Sequence, residues 1–158
     1  MRLTTLTTAL VLAAGMAAAE TVLPADVAYG EEGVVEMSLT GKPGDAENGR
    51  SVFGSKSKGN CVSCHAVEQL ADVPFHGEVG PDLSYTGEAR SEAELRGIVA
   101  NAKMTFEGTV MPAFYKTKGY IRPGDAYTGK AGAEPLPPLL SAQDIEDVVA
   151  FLLTLKES

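Results

Sequence analysis

Cys61-Val62-Ser63-Cys64-His65 is the stretch on which the reading of this chain turns. Two thiols at this spacing, followed at once by an imidazole, can hold a haem through two thioethers and bring the histidine under the iron. A redox-active dithiol, half of a zinc site or a local disulfide would use the same pair differently. A redox dithiol is expected after a strand in a βαβ pattern, whereas Gly59-Asn60 precedes this pair and no such alternation follows. Zinc would draw on Cys61, Cys64, His65 and His76, and the gap between the two histidines is too long for a finger. The expected cofactor is therefore one covalent haem c, with Cys61 and Cys64 as thioethers and His65 as an axial iron ligand.

The address agrees with that cofactor. Met1-Arg2 leads into a mostly apolar run from Ala9 to Ala18 that closes on Ala17-Ala18-Ala19, so residues 1–19 read as a signal peptide. The apolar run is short for a bilayer span and has no stop-transfer charges behind it. The periplasm is the expected location, with no membrane anchor. Cleavage after Ala19 would leave 139 residues, enough for one domain with a modest core. That mature chain would carry 12 Lys and Arg against 21 Asp and Glu, a formal charge of −9. Such acidity disfavours nucleic acid and steers encounters toward basic partners. With both cysteines committed and no tryptophan present, the cofactor itself is expected to staple and fill the core.

Around the motif the chain divides into an N-terminal arm, residues 20–43, and a domain over residues 44–158. The arm carries scattered valines and leucines broken by Pro24, Gly30 and Gly33, without helical spacing. It either packs on its own domain or lies across a partner. Asp45 can cap a short helix from Ala46 to about Ser55 that buries Val52 and Phe53. Glycine and proline forbid regular helix between His65 and Leu83, which reads as a loop with His76 exposed. Ser91-Glu92-Ala93-Glu94 has capping-box spacing and opens a helix with Leu95, Ile98, Val99 and Ala102 on one face and Glu92 paired to Arg96. Ser141 with Asp144 opens the last and most amphipathic helix, its face formed by Ile145, Val148, Val149, Leu152 and Leu155. This helix should pack on the first. The glycines and prolines between Lys116 and Pro138 mark a long loop.

What binds opposite His65 decides what the iron can do, because an open position binds small molecules and a strong second ligand makes an electron carrier. Met111 is the foremost candidate, since Pro112 holds it extended and stiffens the approach of its thioether. Met104, near the end of the middle helix, has a natural core role, and His76 and Lys103 are lesser alternatives. A thioether ligand raises the potential relative to imidazole. The neutral His65 ring should donate its other nitrogen to a backbone carbonyl, with Pro81 in the Gly80-Pro81 loop as the source.

Helix, C-x-x-C-H, Gly-Pro loop, middle helix, Met-Pro loop and final helix together resemble a class I cytochrome c across nearly all of residues 44–158. The resemblance implies an all-α fold of few helices around one haem. Gly44-Asp45-Ala46-Glu47-Asn48-Gly49, Gly77-Glu78-Val79-Gly80-Pro81-Asp82-Leu83 and Met111-Pro112-Ala113-Phe114-Tyr115 resemble more specifically the SoxX family, the monohaem subunits of SoxAX complexes. The acidic arm and the insertion around Tyr120-Ile121-Arg122 are similar to that family too. Membership implies a heterodimer with a SoxA-type cytochrome subunit, an L-cysteine S-thiosulfotransferase that joins thiosulfate to a cysteine of the SoxYZ carrier. This chain would pass the released electrons to a soluble cytochrome c acceptor. Its own two cysteines are spent on haem, so no catalytic residue is expected here. A freestanding periplasmic carrier for an oxidase or dehydrogenase is the alternative, and a gas-binding or peroxidase-like haem is a remoter one that Met111-Pro112 argues against.

Overall fold

The computed structural model describes residues 20–121, 123, 124, 129–132 and 134–157, so the expected signal peptide and Arg122 of the insertion lie outside the described residues. Within them the chain forms helices α1 (Ala46–Gly54), α2 (Thr86–Ala89), α3 (Glu92–Asn101) and α4 (Ala142–Leu153). Single 3-10 turns lie at Glu31–Gly33, Cys61–Ser63, Glu68–Leu70 and Ala102–Met104. One isolated bridge, Gly124 to Ala131, is the extent of strand pairing among the described residues. The architecture is all-α, as expected.

Each longer helix begins where a side chain takes over its orphan amides. Asp45 accepts from the amides of Glu47 and Asn48 at the start of α1. Ser91 with Glu94 and Ser141 with Asp144 form complete capping boxes on α3 and α4. The short α2 was not expected from the sequence, having neither a cap nor a buried residue of its own.

Helices α1 and α4 cross at close range, and Gly49 is what permits it. A Cβ on Gly49 would lie 1.9 Å from the carbonyl oxygen of Asp147, so no side chain fits. At the crossing, Asp147 is buried and accepts from the Asp45 amide at 2.8 Å and from Asn48 Nδ2 at 2.6 Å. One turn further on, Phe53 meets Phe151 edge to face with ring centroids 5.5 Å apart. Val52, Ile145, Val148, Val149 and Leu155 fill the space around them, each no more than 1 % exposed.

The arm packs on its own domain, the first of the two placements left open by the sequence. Val35 and Leu39 are buried in the main core, and the Val22 amide donates to the Leu39 carbonyl at 2.8 Å. A buried ion pair holds this layer in place. Arg96 Nε donates to both carboxylate oxygens of Glu146, at 3.0 and 3.1 Å, and both side chains are 3 % exposed. Glu146 also accepts from the Leu39 amide at 2.6 Å, while Arg96 Nη1 donates to the Val35 carbonyl at 3.0 Å. The expected pairing of Arg96 with Glu92 is present as well. The face of α3 nevertheless differs from the expected one, because Arg96 and Gly97 are buried while Ile98 is only half-buried.

The insertion after Tyr115 folds back on itself. Leu136 donates to the Thr117 carbonyl at 3.0 Å, and the Tyr120 amide donates to Glu134 at 2.9 Å. Tyr115 belongs to the core instead, 5 % exposed, with its hydroxyl donating to the Val22 carbonyl at 2.6 Å.

Two stability measurements check this account. Gly49→Ala should lower the denaturant midpoint by about 1–3 kcal/mol of stability through overpacking, whereas at an open helix position the same change stabilises by roughly 1 kcal/mol. The sign of the effect therefore reports the crossing. Asp144 is subject to burial, which alone would raise its pKa, but hydrogen bonds from Lys58 and Ser141 outweigh it and hold the carboxyl below its ordinary 3.8. A depressed carboxylate stabilises the fold above the unfolded value and loses that contribution as pH falls through the folded one. Asp144→Asn should cost about 1 kcal/mol at pH 7 by weakening the cap, and the gap to the parent should close below about pH 4.

Candidate functional site

Helix α1 ends at Gly54 and hands the chain to the Cys61–Ser63 turn, which Asn60 enters in a left-handed conformation with φ 49°. Val62 points into the core, 4 % exposed, so the turn is anchored between its two cysteines. The amides of Cys64 and His65 both donate to the Cys61 carbonyl, at 3.1 and 3.0 Å. Cys61 and Cys64 are free thiols, not joined to each other. Burial pushes the Cys61 thiol up to about 12.

The following loop returns to lie on the motif. Gly77 donates to the Val62 carbonyl and Gly80 to the Cys64 carbonyl, each at 2.8 Å. This brings Pro81 to His65, where Nδ1 lies 2.7 Å from the Pro81 carbonyl oxygen. A carbonyl only accepts, so Nδ1 carries the proton and Nε2 keeps the free lone pair. Gly80 lies against the ring: a Cβ there would approach His65 Cε1 to 2.3 Å. Glycine therefore sets how closely the loop covers the imidazole.

His76 departs from its expected exposed position. It is half-buried, its Nδ1 accepts from the Val67 amide at 3.3 Å, and its buried Nε2 has no partner. This histidine braces the loop, a role that nothing in its immediate sequence indicates. Met111 is half-buried and packs against the core, and its amide donates to Thr109 Oγ1 at 3.2 Å. Met104 is 49 % exposed on its 3-10 turn, so the core role expected for it is not found. Lys103 directs Nζ at the carbonyls of Met111 and Thr109.

These residues fit a covalently attached haem. Two unpaired thiols stand beside an imidazole whose single lone pair is at Nε2, and a half-buried thioether lies on another loop. The two loops leave apolar side chains uncovered: Phe75 is 83 %, Val79 69 % and Val110 81 % exposed. Among the described residues no cluster of three or more His, Cys, Asp or Glu is arranged to hold a metal ion. A separate cavity of about 460 Å³ opens in the arm between Val27, Tyr29, Val34 and Met37.

Comparison with known proteins adds the family. The cytochrome c family model matches residues 46–156. No curated protein sequence matches. Among solved structures, a chain of the SoxXA crystal structure from P. pantotrophus is 59% identical, with a TM-score of 0.84, over 87% of this chain and 99% of its own. The c-type cytochrome SorU from Sinorhizobium meliloti is 22% identical over 70% of this chain and 90% of its own, with a TM-score of 0.43. The motif, the loop that orients its histidine and the matched length agree, and the chain belongs to the cytochrome c family, with the all-α class I fold.

Proposed function

We propose that this chain is the monohaem electron-transfer subunit of a SoxAX complex. The observation that carries the reading is its 59% identity, over 87% of its length, to a chain of SoxXA. The assembly is a heterodimeric L-cysteine S-thiosulfotransferase acting in the periplasm, reached through the signal peptide of residues 1–19. No described helix is long and apolar enough to cross a membrane.

Cys61 and Cys64 would hold a single haem c as thioethers, and His65 and Met111 would ligate its iron. Bound there, the haem supplies one-electron oxidation and reduction. The residues of this chain set the conditions for that exchange. Pro81 fixes the tautomer and orientation of His65 and raises its basicity as a ligand. The Met111 thioether favours the reduced state and raises the potential, which suits an electron acceptor.

Joining a carrier thiolate to thiosulfate forms one sulfur-sulfur bond and releases two electrons, so a one-electron centre must relay them singly. Both cysteines of this chain are consumed by attachment, and bond formation therefore takes place in the SoxA-type partner, on the SoxYZ cysteine. This chain carries the electrons onward to a soluble cytochrome c. The outer face of the arm, where Leu23 and Met37 are 61 % and 77 % exposed, supports a partner contact beside the cavity. The inner face stays committed to the domain.

Three experiments test this reading. In the exported, oxidised protein the long-wavelength sulfur-to-iron band should be lost in Met111→Leu, with a fall in reduction potential, and kept in Met104→Leu. The reverse pattern transfers the ligand to Met104. Colour should remain with the protein on acid-acetone extraction. The isolated chain should show no thiosulfate-dependent activity toward SoxYZ, and addition of a SoxA-type subunit should restore turnover and yield a heterodimer stable to gel filtration. A chain that stays monomeric beside that subunit, yet reduces an oxidase rapidly, would establish a freestanding carrier instead.

A further inference from the structure

Lys103 ties the main chain on which Met111 is carried. From the 3-10 turn after α3, its Nζ donates to the Met111 carbonyl at 2.7 Å and to the Thr109 carbonyl at 3.2 Å. Thr109 Oγ1 accepts from the Met111 amide at 3.2 Å. Both polar groups of the Met111 backbone are thereby engaged, and Pro112 removes the next donor while holding Met111 extended. The rest of the loop is fastened at its ends, where Phe106 donates to the Ala102 carbonyl at 2.8 Å and Tyr115 to the Ala100 carbonyl at 2.9 Å. Val110, between them, is 81 % exposed and gives the loop little apolar anchorage.

We propose that Lys103 is a positioning residue for the sixth iron ligand: its ammonium clamps the Met111 main chain, so the thioether is presented in one place. The clamp also keeps a positive charge beside that ligand, which favours the reduced state of the centre. A long, flexible side chain would otherwise be left to solvent at this position. Two carbonyl acceptors at hydrogen-bonding distance account for its ordering. The inference rests on Met111 being a ligand.

The test uses the oxidised holoprotein, with added imidazole as the competing ligand and loss of the sulfur-to-iron band as the readout. Lys103→Leu and Lys103→Gln should bind imidazole about tenfold more tightly than the parent, the order expected for loss of a charge-assisted hydrogen bond. Both should also have a lower reduction potential. Lys103→Arg, which keeps charge and donors, should restore both properties most of the way. Should Lys103→Leu fail to load haem, the Gln and Arg pair carries the comparison. Parent-like imidazole affinity in the Leu and Gln variants, while Met111→Leu still abolishes the band, overturns the positioning role alone. Survival of the band in Met111→Leu overturns the ligand assignment beneath it.

Discussion

The close crossing of α1 and α4 is the constraint on which the rest of the molecule depends. With Gly49 against the Asp147 carbonyl, the two ends of the domain meet backbone to backbone, and the chain between them leaves α1 and returns to α4. Helix α1 points its C-terminus toward the Cys61–Ser63 turn, and α4 lies behind it as a floor of buried valine, isoleucine and leucine. A chain without tryptophan or a disulfide has few other means of fixing a loop-rich half. The loops then fasten to one another through backbone groups, with Gly77, Gly80 and Pro81 laid on the cysteine motif.

The division between what could be read along the sequence and what could not follows the range of the interactions. The caps at Asp45, Ser91 and Ser141 act over three residues, and each was legible from its own neighbourhood. The pattern of Val52, Phe53 and the α4 apolar face was legible because burial of one helix side imposes a period. So was the Gly80-Pro81 loop as the source of the carbonyl beside His65, 16 residues away. Arg96 was not. Beside Glu92 it has the look of a surface pair, yet its main partner is Glu146, 50 residues away on another helix. Glu146 and Asp147 were equally hidden, because a buried carboxylate is recognisable only once its donors are placed. His76 belongs to the same class: its partner is a backbone amide, which has no signature in a sequence.

The buried charges also explain why the arm is a layer of the domain rather than an appendage. Arg96 and Glu146 left without their neighbours would each be a desolvated charge with unmet hydrogen bonds. Val35, Leu39 and their backbone groups supply the missing partners and cover the pair from solvent. The outer side of the arm keeps its exposed apolar residues, Leu23 and Met37.

The bond between the Leu39 amide and Glu146 joins residues 107 positions apart. A chain made from its N-terminus has the arm first and the partner of that amide almost last. Until residue 146 exists, the arm has no carboxylate to accept its amide, and Arg96 has no partner on α4. The earliest part of the domain is thus completed by one of the latest, and its two ends are sealed in a single closing event. Contacts that span so much of the chain raise its contact order, which slows folding relative to a helical protein built from local contacts.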